Sequence, residues 1–208
     1  MRHALLLAAS LAWGAAAAAA VQATAPPPGI DARAIVHDVC GSCHGIDGNS
    51  VAPRYPVLAQ QNAAYLLDQL QQFAAQGRRP AAGVMAAFAV GLEPRQMAAL
   101  ADYFARQPLH ARSRPDASGT GAGERIFRDG IGEPFVPACA SCHGLNGEGL
   151  PPRFPRLAGQ HAGYLAEQLR QYRAGTRISD RDGLMRNVAA HLSDADIDAV
   201  AAYAANLR

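Results

Sequence analysis

Apolar residues recur at helical spacing in two separate parts of the chain. Over residues 65–73 they fall three and four positions apart, and the same spacing returns over residues 164–172. This periodicity places the apolar side chains on one face of an amphipathic helix. The alternation of apolar and polar residues that is typical of strands is weak throughout the sequence. The pattern therefore predicts an all-α fold.

Capping residues indicate where further helices begin. One helix is predicted to begin at Glu93 and an equivalent one at Ser193, where Asp196 completes a pattern that resembles a capping box. Shorter helices are predicted over 32–40 and 123–129, ahead of two cysteine motifs. Each half of the chain thus contains at least three predicted helices.

The N-terminus has the features of an export signal. A charged start is followed by an apolar run over 4–21 and by small residues up to Ala23, so a signal peptide is predicted over 1–23. A retained membrane anchor is the alternative, but alanine dominates the run and Gly14 interrupts it. No other apolar run in the sequence is long enough to cross a membrane. Removing 23 of the 208 residues leaves 185, enough for two domains.

The rest of the sequence is a tandem duplication. Pro56 and Pro155 are 99 residues apart, as are Tyr65 and Tyr164, and a net insertion of one residue makes the offset 100 further on. A repeat of this kind determines the fold more strongly than local propensity. The stretch between the copies is rich in proline, glycine and serine, as expected of a linker. The predicted organisation is two domains, 24–108 and 121–208, and a linker over 109–120.

All four cysteines belong to two copies of one motif, C-x-S-C-H-G. Two thiols at this spacing with a histidine directly after them are typical of covalent haem attachment, in which the histidine becomes the proximal iron ligand. A four-thiolate zinc site gives no reason for the histidines, and a redox dithiol needs a strand–helix context that the sequence lacks. We therefore predict two covalently bound haem c groups. Their attachment residues are Cys40, Cys43, Cys139 and Cys142, and their proximal ligands are His44 and His143.

The second axial ligand decides what such a haem does. An iron held by histidine alone is open to peroxide and gases, whereas a methionine on its far side closes it and raises its reduction potential. Met85 and Met185 occupy equivalent positions in the two copies and are the predicted ligands, while Met97 aligns with Ile197 and is predicted to be a core residue. The other histidines that follow the signal peptide have no equivalent in the other copy: His37, His110, His161 and His191.

The overall charge excludes one class of function. The formal charge is +2 without any lysine, and two haems would add four propionates. A balance this close to neutral excludes a nucleic-acid-binding protein, which needs a strongly basic face.

Other polar residues are repeated in the two copies and are candidates for hydrogen bonds to the propionates, with ordinary packing as the alternative. They are Arg54, Arg153, Gln61, Gln160, Tyr65 and Tyr164. A local basic patch near the second haem, or a solvated helix face, is predicted from Arg153, Arg156, Arg170, Arg173 and Arg177.

The repeated motifs resemble those of the cytochrome c4 family of dihaem c-type cytochromes. The resemblance covers nearly the whole mature chain, and it implies two tandem cytochrome c-like helical domains, each wrapping one covalently attached haem with histidine and methionine ligands. It also implies that the two haems lie close together. The motifs that carry it are C-G-S-C-H-G-I-D-G-N-S at 40–50, P-V-L-A-Q-Q-N-A-A-Y-L-L-D-Q-L at 56–70, A-C-A-S-C-H-G-L-N-G-E-G at 138–149 and P-R-L-A-G-Q-H-A-G-Y-L-A-E-Q-L at 155–169.

The resemblance implies electron transfer in the periplasm, often from a quinol-oxidising complex toward a terminal oxidase, and peripheral membrane association in some members. We therefore expect a soluble periplasmic electron carrier that works with redox proteins, and not an enzyme. One alternative is a dihaem electron-transfer subunit of a dehydrogenase or terminal oxidase complex. Another is a dihaem peroxidase, which would need one open iron and is disfavoured by the paired methionines.

Overall fold

The computed structural model describes residues 30–78, 84–110, 120–133 and 135–208. The predicted signal peptide and residues 111–119 of the predicted linker lie outside these ranges. The described residues form two helical units of the same design, one on either side of residues 111–119. Within the described ranges, extended pairing is limited to three isolated bridges. The predicted all-α fold is therefore confirmed.

The first unit contains the two long helices that the sequence predicts. The helix predicted over 32–40 is also present, but its second half, Val36–Cys40, is a π-helical turn in which the N–H of Gly41 bonds to the carbonyl of Val36. Such turns are rare and often occur beside functional sites. The α-helices described in this unit are α1 Ala32–Ile35, α2 Gly41–His44, α3 Ala63–Ala74, α4 Val84–Val90 and α5 Pro94–Ala105.

The second unit repeats this order of helices. A short 3₁₀ turn, Arg181–Gly183, replaces part of the loop that precedes its fourth helix. Its α-helices are α6 Thr120–Asp129, α7 Ala140–His143, α8 Ala162–Arg173, α9 Leu184–Ala190 and α10 Asp194–Ala205.

The long C-terminal helices begin at reciprocal caps. In α10 the Ser193 hydroxyl accepts from the Asp196 N–H while the Asp196 carboxylate accepts from the Ser193 N–H, as the sequence predicts. In α5 the pair Glu93 and Gln96 does the same, and a proline follows the cap. Each cap satisfies N–H groups that have no partner inside the helix. Local sequence thus sets where both helices begin.

Each unit has its own apolar core, built around its C-terminal helix. In the second unit α10 packs against α6 and α8, and Phe127 and Ile197 are completely buried. In the first unit α5 packs against α1 and α3, with Val36, Leu100 and Phe104 in one cluster. Burial of a side chain of this size contributes about 1.5–3 kcal/mol. Among the helices of the described ranges, none combines the length and apolar character that a membrane crossing requires.

Gly123 allows α6 to cross α10 at short range. A Cβ at this position would lie 2.1 Å from the carbonyl oxygen of Ala199 and 3.0 Å from Cβ of Tyr203. Because backbone atoms cannot rotate away, we expect Gly123→Ala to lower the free energy of unfolding by about 1–3 kcal/mol, measured by chemical denaturation.

Gly121 in the same helix provides the matched control. Within the described ranges, the nearest atom to a Cβ there would be a guanidinium nitrogen of Arg125, at 3.8 Å. Gly121→Ala should therefore leave the stability unchanged or raise it by up to about 1 kcal/mol, because alanine favours the helix. Equal effects of the two substitutions would contradict a close crossing at Gly123.

Candidate haem-binding sites

Each cysteine motif is wound into a short helix that gathers its three functional side chains. In the first unit Cys40 ends the π-helical turn, and Cys43 and His44 follow in α2. The equivalent residues of the second unit lie at the start of α7 and within it. All four thiols are free. A helix places residues i, i+3 and i+4 on the same face. Both thiols and the imidazole of each motif therefore share one face, as attachment of a single haem requires.

A backbone carbonyl orients the imidazole of each motif. His44 Nδ1 lies 2.9 Å from the carbonyl oxygen of Pro56, and His143 Nδ1 lies 2.9 Å from that of Pro155. Because a carbonyl can only accept, Nδ1 carries the proton and Nε2 keeps its lone pair. Among the described residues, none forms a hydrogen bond with Nε2 of either histidine. Each motif thus presents one oriented nitrogen, with the backbone hydrogen bond that metal-binding histidines need.

A glycine loop brings each proline to its histidine. The carbonyl oxygen of Gly48 accepts from the N–H groups of Leu58 at 2.8 Å and Ala59 at 3.2 Å, and Gly147 makes the two equivalent bonds in the second unit. Gly48 has a φ of +74°, and a Cβ there would lie 2.8 Å from both Ala59 N and Phe104 Cδ1. A side chain at this position is therefore excluded by conformation and by space.

Burial disfavours the charged forms of the histidine and of the first cysteine in each motif. It lowers the pKa of His44 and of His143, and the hydrogen bonds to the proline carbonyls offset only part of this effect. It raises the pKa of the Cys40 thiol, and that of Cys139 to about 11. Neutral imidazole is the form that binds a metal. Both histidines are therefore ready to act as ligands at neutral pH.

The surroundings of both motifs fit a large apolar cofactor with acidic groups. Apolar side chains are exposed at equivalent positions of the two units, Ile46 with Leu145 and Val84 with Leu184, and a group that covered them would remove this exposure. Among the residues that the structure describes, none forms a hydrogen bond with the buried guanidinium Nε of Arg156, and a carboxylate of the cofactor would satisfy it. Haem meets both conditions, so the residues present fit a haem in each unit.

The two predicted methionine ligands occupy equivalent places. Met85 is the second residue of α4 and Met185 the second residue of α9, and both side chains are half-buried. Helices α4 and α9 were not predicted, because seven residues are too few to show a helical period. Met97 is buried in α5, as the sequence predicts. The ligand role of Met85 and Met185 stays a prediction.

Gln61 and Gln160 join the two units. The side-chain amide of Gln61 donates to the carbonyl of Arg156 at 2.9 Å and accepts from its N–H at 2.8 Å. Gln160 forms the same pair of bonds with the backbone of Val57, both at 2.9 Å. The hypothesis that these glutamines bind propionates is corrected, because both ends of each amide are bonded across the interface. Val57 and Arg156 directly follow the prolines that hold the histidines, so the interface reaches both sites.

His161 and Asn62 occupy the same position in the two copies and have different roles. The Asn62 side-chain oxygen accepts from the N–H groups of Ala64 and Tyr65 and caps α3. The side chain of His161 does not cap α8. Its Nε2 instead lies 3.1 Å from the carbonyl oxygen of Ser50 in the first unit. This contact adds to the interface and is not detectable from the spacing of histidines in the sequence.

The basic patch predicted near the second haem is not present as such. Arg177 is buried, while Arg170 Nη2 lies 2.7 Å from a carboxylate oxygen of Asp198 and Arg173 Nη2 lies 2.5 Å from one of Asp194. These carboxylates belong to the first turns of α10, where a helix favours negative charge. The two arginines of α8 are thus neutralised by the neighbouring helix, which the sequence pattern alone does not show.

Gln160→Ala is expected to weaken the contact between the units. The substitution leaves the buried N–H and carbonyl of Val57 without partners, which costs about 1–3 kcal/mol in the free energy of unfolding. Chemical denaturation followed by circular dichroism measures the change. The control is Gln71→Ala, because Gln71 is exposed on α3 and should cost less than about 0.5 kcal/mol. If both variants unfolded at the same denaturant concentration, the interface role would be wrong.

Comparison with known proteins explains the duplicated geometry. The family model of cytochrome c matches residues 30–107 and 122–208. Cytochrome c4 of Azotobacter vinelandii is 43% identical over 176 residues, which cover 79% of this chain and 82% of that protein. The thiosulfate dehydrogenase electron acceptor of Thiomonas intermedia is 38% identical over 192 residues, which cover 91% of this chain and 84% of that protein. The crystal structure of reduced cytochrome c4 from Pseudomonas stutzeri is 40% identical, with a TM-score of 0.76, and the match covers 86% of this chain and 99% of that one.

Each unit is one cytochrome c domain with one covalently bound haem c. When bound, each haem supplies an iron that accepts and releases a single electron. The protein is therefore an electron carrier rather than an enzyme, and its partners are redox proteins. Because the chain contains two cytochrome c domains and its relatives have the same tandem form, it belongs to the cytochrome c family, among its dihaem cytochrome c4 proteins.

Proposed function

We propose that the chain is an exported, soluble carrier that passes single electrons in the periplasm from a quinol-oxidising complex toward a terminal oxidase. The observation that carries the proposal is the equivalence of the two histidine sites, where His44 and His143 each have Nδ1 2.9 Å from a proline carbonyl oxygen. Two equally oriented ligands suit electron transfer at both haems. An enzyme would need one of the two sites to differ.

The proposed ligand sets follow the duplication. Cys40, Cys43, His44 and Met85 serve the first haem, and Cys139, Cys142, His143 and Met185 serve the second. Two features support them: the motif residues share a helix face, and each methionine is the second residue of equivalent helices. The proline carbonyls and the buried surroundings fix the orientation of each imidazole. Little therefore has to rearrange when an electron moves.

Export and location are supported by the N-terminal sequence. The charged start, the apolar run and the small residues before position 23 favour cleavage after Ala23. The mass of the purified protein and fractionation of the cells that produce it test this part. We expect a mature N-terminus at Thr24 and recovery of the protein in the periplasmic fraction, with any membrane-bound part released by salt. An uncleaved chain that stays in the membrane pellet would overturn it.

The carrier role is tested by the visible spectrum of the oxidised holoprotein and by its kinetics. We expect a weak sulfur-to-iron band with the intensity of two methionine-ligated haems, rapid reduction by membranes that contain a quinol-oxidising complex, and no turnover of hydrogen peroxide. A band of half this intensity together with a high-spin signature would show one open iron. That result, with peroxide turnover, would overturn the carrier role.

A second candidate is favoured by one comparison. The Thiomonas intermedia relative is a thiosulfate dehydrogenase electron acceptor, so this chain is also a candidate acceptor subunit of a dehydrogenase. The two candidates differ in whether the protein is isolated alone. Purification from the native host at low ionic strength should yield the free cytochrome if it is a carrier. Stable co-purification with a dehydrogenase that reduces it directly would favour the subunit.

A further inference from the structure

Two arginines meet in the interface between the domains. Arg78 and Arg177 face each other in an antiparallel bridge and are only 6% and 2% exposed. They occupy equivalent positions, 99 residues apart. The Arg78 guanidinium lies 4.6 Å from the ring centre of Phe73, and that of Arg177 lies 4.4 Å from the ring centre of Tyr172. Two permanent positive charges are therefore buried side by side.

The side chains that bond to these guanidiniums are neutral. The Gln69 amide oxygen accepts from both arginines at 2.8 Å, and the Gln168 amide oxygen accepts from Arg78 at 2.9 Å and from Arg177 at 2.7 Å. Arg177 also donates to the hydroxyl of Ser179 at 3.0 Å. Each glutamine thus bridges both domains.

Charge compensation from the protein is incomplete. Within the described part of the chain, neither Arg78 nor Arg177 forms an ion pair with a carboxylate. Asp68 lies one hydrogen bond further out, where it accepts from the Gln69 amide at 2.8 Å. One carboxylate in the next layer cannot balance two buried cations that also repel each other. Buried charges persist when they are paired, so the interface requires an anion.

Two tyrosines supply the donors that would complete an anion site. The Tyr65 hydroxyl accepts from Arg177 at 2.9 Å, and the Tyr164 hydroxyl accepts from Arg78. Each hydroxyl still has its own proton to donate, and no described residue accepts it. Two guanidiniums and two hydroxyl donors together form a site for acidic oxygens.

The two helices that contact the arginine pair, α3 and α8, also pack against the cysteine motifs. In α3, Leu66 and Leu70 belong to the apolar cluster that contains Cys40, while Tyr65 and Gln69 precede them by one residue and so occupy the adjoining face. In α8 the cluster around Cys139 contains the equivalent leucines. Each helix therefore faces its own haem motif on one side and the arginine pair on the next.

We propose that Arg78 and Arg177, together with the hydroxyls of Tyr65 and Tyr164, bind propionate carboxylates of the two haems and thereby hold both reduction potentials high. A positive charge near the ring favours the electron-rich reduced iron, because it offsets the negative charge of the propionates. The two glutamine bridges make the pair one unit, so loss of either arginine affects both haems. The proposal rests on haem attachment and not on the route of electrons outside the protein.

Three tyrosines of α3 and α8 face the arginine pair: Tyr65 and Tyr164 bond to the guanidiniums, and the ring of Tyr172 lies beside that of Arg177. Burial raises the pKa of Tyr65, but the charges of Arg177 and Arg78 outweigh it and leave this pKa below its ordinary value. Burial raises the pKa of Tyr172 to about 12. The other titratable groups on α3 and α8 are Asp68, Tyr164, Glu167, Arg170 and Arg173. We expect the two potentials of the native protein to vary little between pH 6 and 8, because the proposed partners of the propionates are two permanently charged guanidiniums.

The test is potentiometry of the holoprotein with Arg78→Gln, which removes the charge and keeps an amide. Each haem takes one electron from a redox mediator. In the variant a propionate that has lost its cation takes up a proton from water on reduction. We expect the reduction equilibrium of both haems to shift at least tenfold toward the ferric form, which is about 59 mV for one electron, and to become pH-dependent. Arg78→Lys should show much less of this shift, because it keeps the positive charge.

The control is Arg95→Gln, which removes an exposed arginine of the same domain that pairs with Glu93. It should leave both potentials unchanged. If Arg78→Gln lowered the unfolding midpoint and left both potentials and their pH dependence as in the native protein, the pair would be purely structural and the proposal would be overturned. A shift in one haem only would overturn the shared role.

A second measurement needs no variant and covers the case in which Arg78→Gln does not fold. Infrared difference spectra of the native protein with ¹³C-labelled haem propionates report the state of these carboxylates. We expect labelled signals of ionised, strongly hydrogen-bonded carboxylates that do not titrate between pH 5 and 8. Signals that titrate like those of solvated propionates would overturn the proposal. So would potentials that depend on chloride or phosphate at constant ionic strength, since the site would then hold a free anion.

Discussion

Replacing Cys139 and Cys142 together by alanine is expected to remove one haem from the protein and leave the other attached. The thiols are the proposed covalent anchors, and the two motifs lie in separate domains with separate cores. Intact-mass measurement should show a loss of one haem mass, and the haem absorbance per chain should fall to about half. The second domain should also lose stability, because its apolar pocket loses the group that covers it.

The reciprocal variant and a neighbouring position control this result. Cys40→Ala with Cys43→Ala should remove the other haem, whereas Ser141→Ala, between the two cysteines of the second motif, should keep both. Retention of two haems after loss of Cys139 and Cys142 would contradict the assignment of the attachment residues. Loss of both haems would contradict independent attachment in the two domains.

Met185→Leu is expected to open one iron without disturbing the fold. Leucine has a similar volume, so packing is largely retained, but it has no sulfur to bind the metal. The sulfur-to-iron band should fall by half and a high-spin signature should appear. The potential of the second haem should fall by an appreciable part of the roughly 0.8 V range that axial ligands span. Visible spectroscopy and potentiometry measure both effects.

Met97→Leu is the matched control, since Met97 is a buried core residue of α5. It should change neither the spectrum nor the potentials and should cost less than about 1.5 kcal/mol of stability. An unchanged sulfur-to-iron band in Met185→Leu would show that another group binds the second iron. A reduced band in Met97→Leu would show that Met97, rather than Met85, binds the first iron.

Features that depend on neighbours in the sequence were predictable. The helical periods of α3 and α8, the cap formed by Ser193 and Asp196, and the buried position of Met97 all follow from residues within a few positions of one another. Helices α4 and α9 escaped prediction because two helical turns are too short to display a period, and they owe their formation to packing on α3 and α8.

Features that depend on docking of the domains were not predictable. Gln61 and Gln160 are repeated, which suggested that both contact their own haem, yet each bonds to the backbone of the other domain. Arg177 was expected on a basic surface and is instead buried beside Arg78. A repeat shows that two positions are equivalent and does not show what they contact. Contacts between equivalent positions arise only when the two copies pack against each other.

The sequence by itself determined the chemistry of this protein, because covalent haem attachment needs two thiols and a histidine within five consecutive residues, and the duplication of that motif sets the number of haems at two. Only the tertiary structure decided which polar groups join the domains and which charges are buried between them. Those pairings connect residues about a hundred positions apart, and their free energy depends on the burial and exclusion of water that docking creates. The local pattern of residues carries no information about these pairings or about the burial that stabilises them.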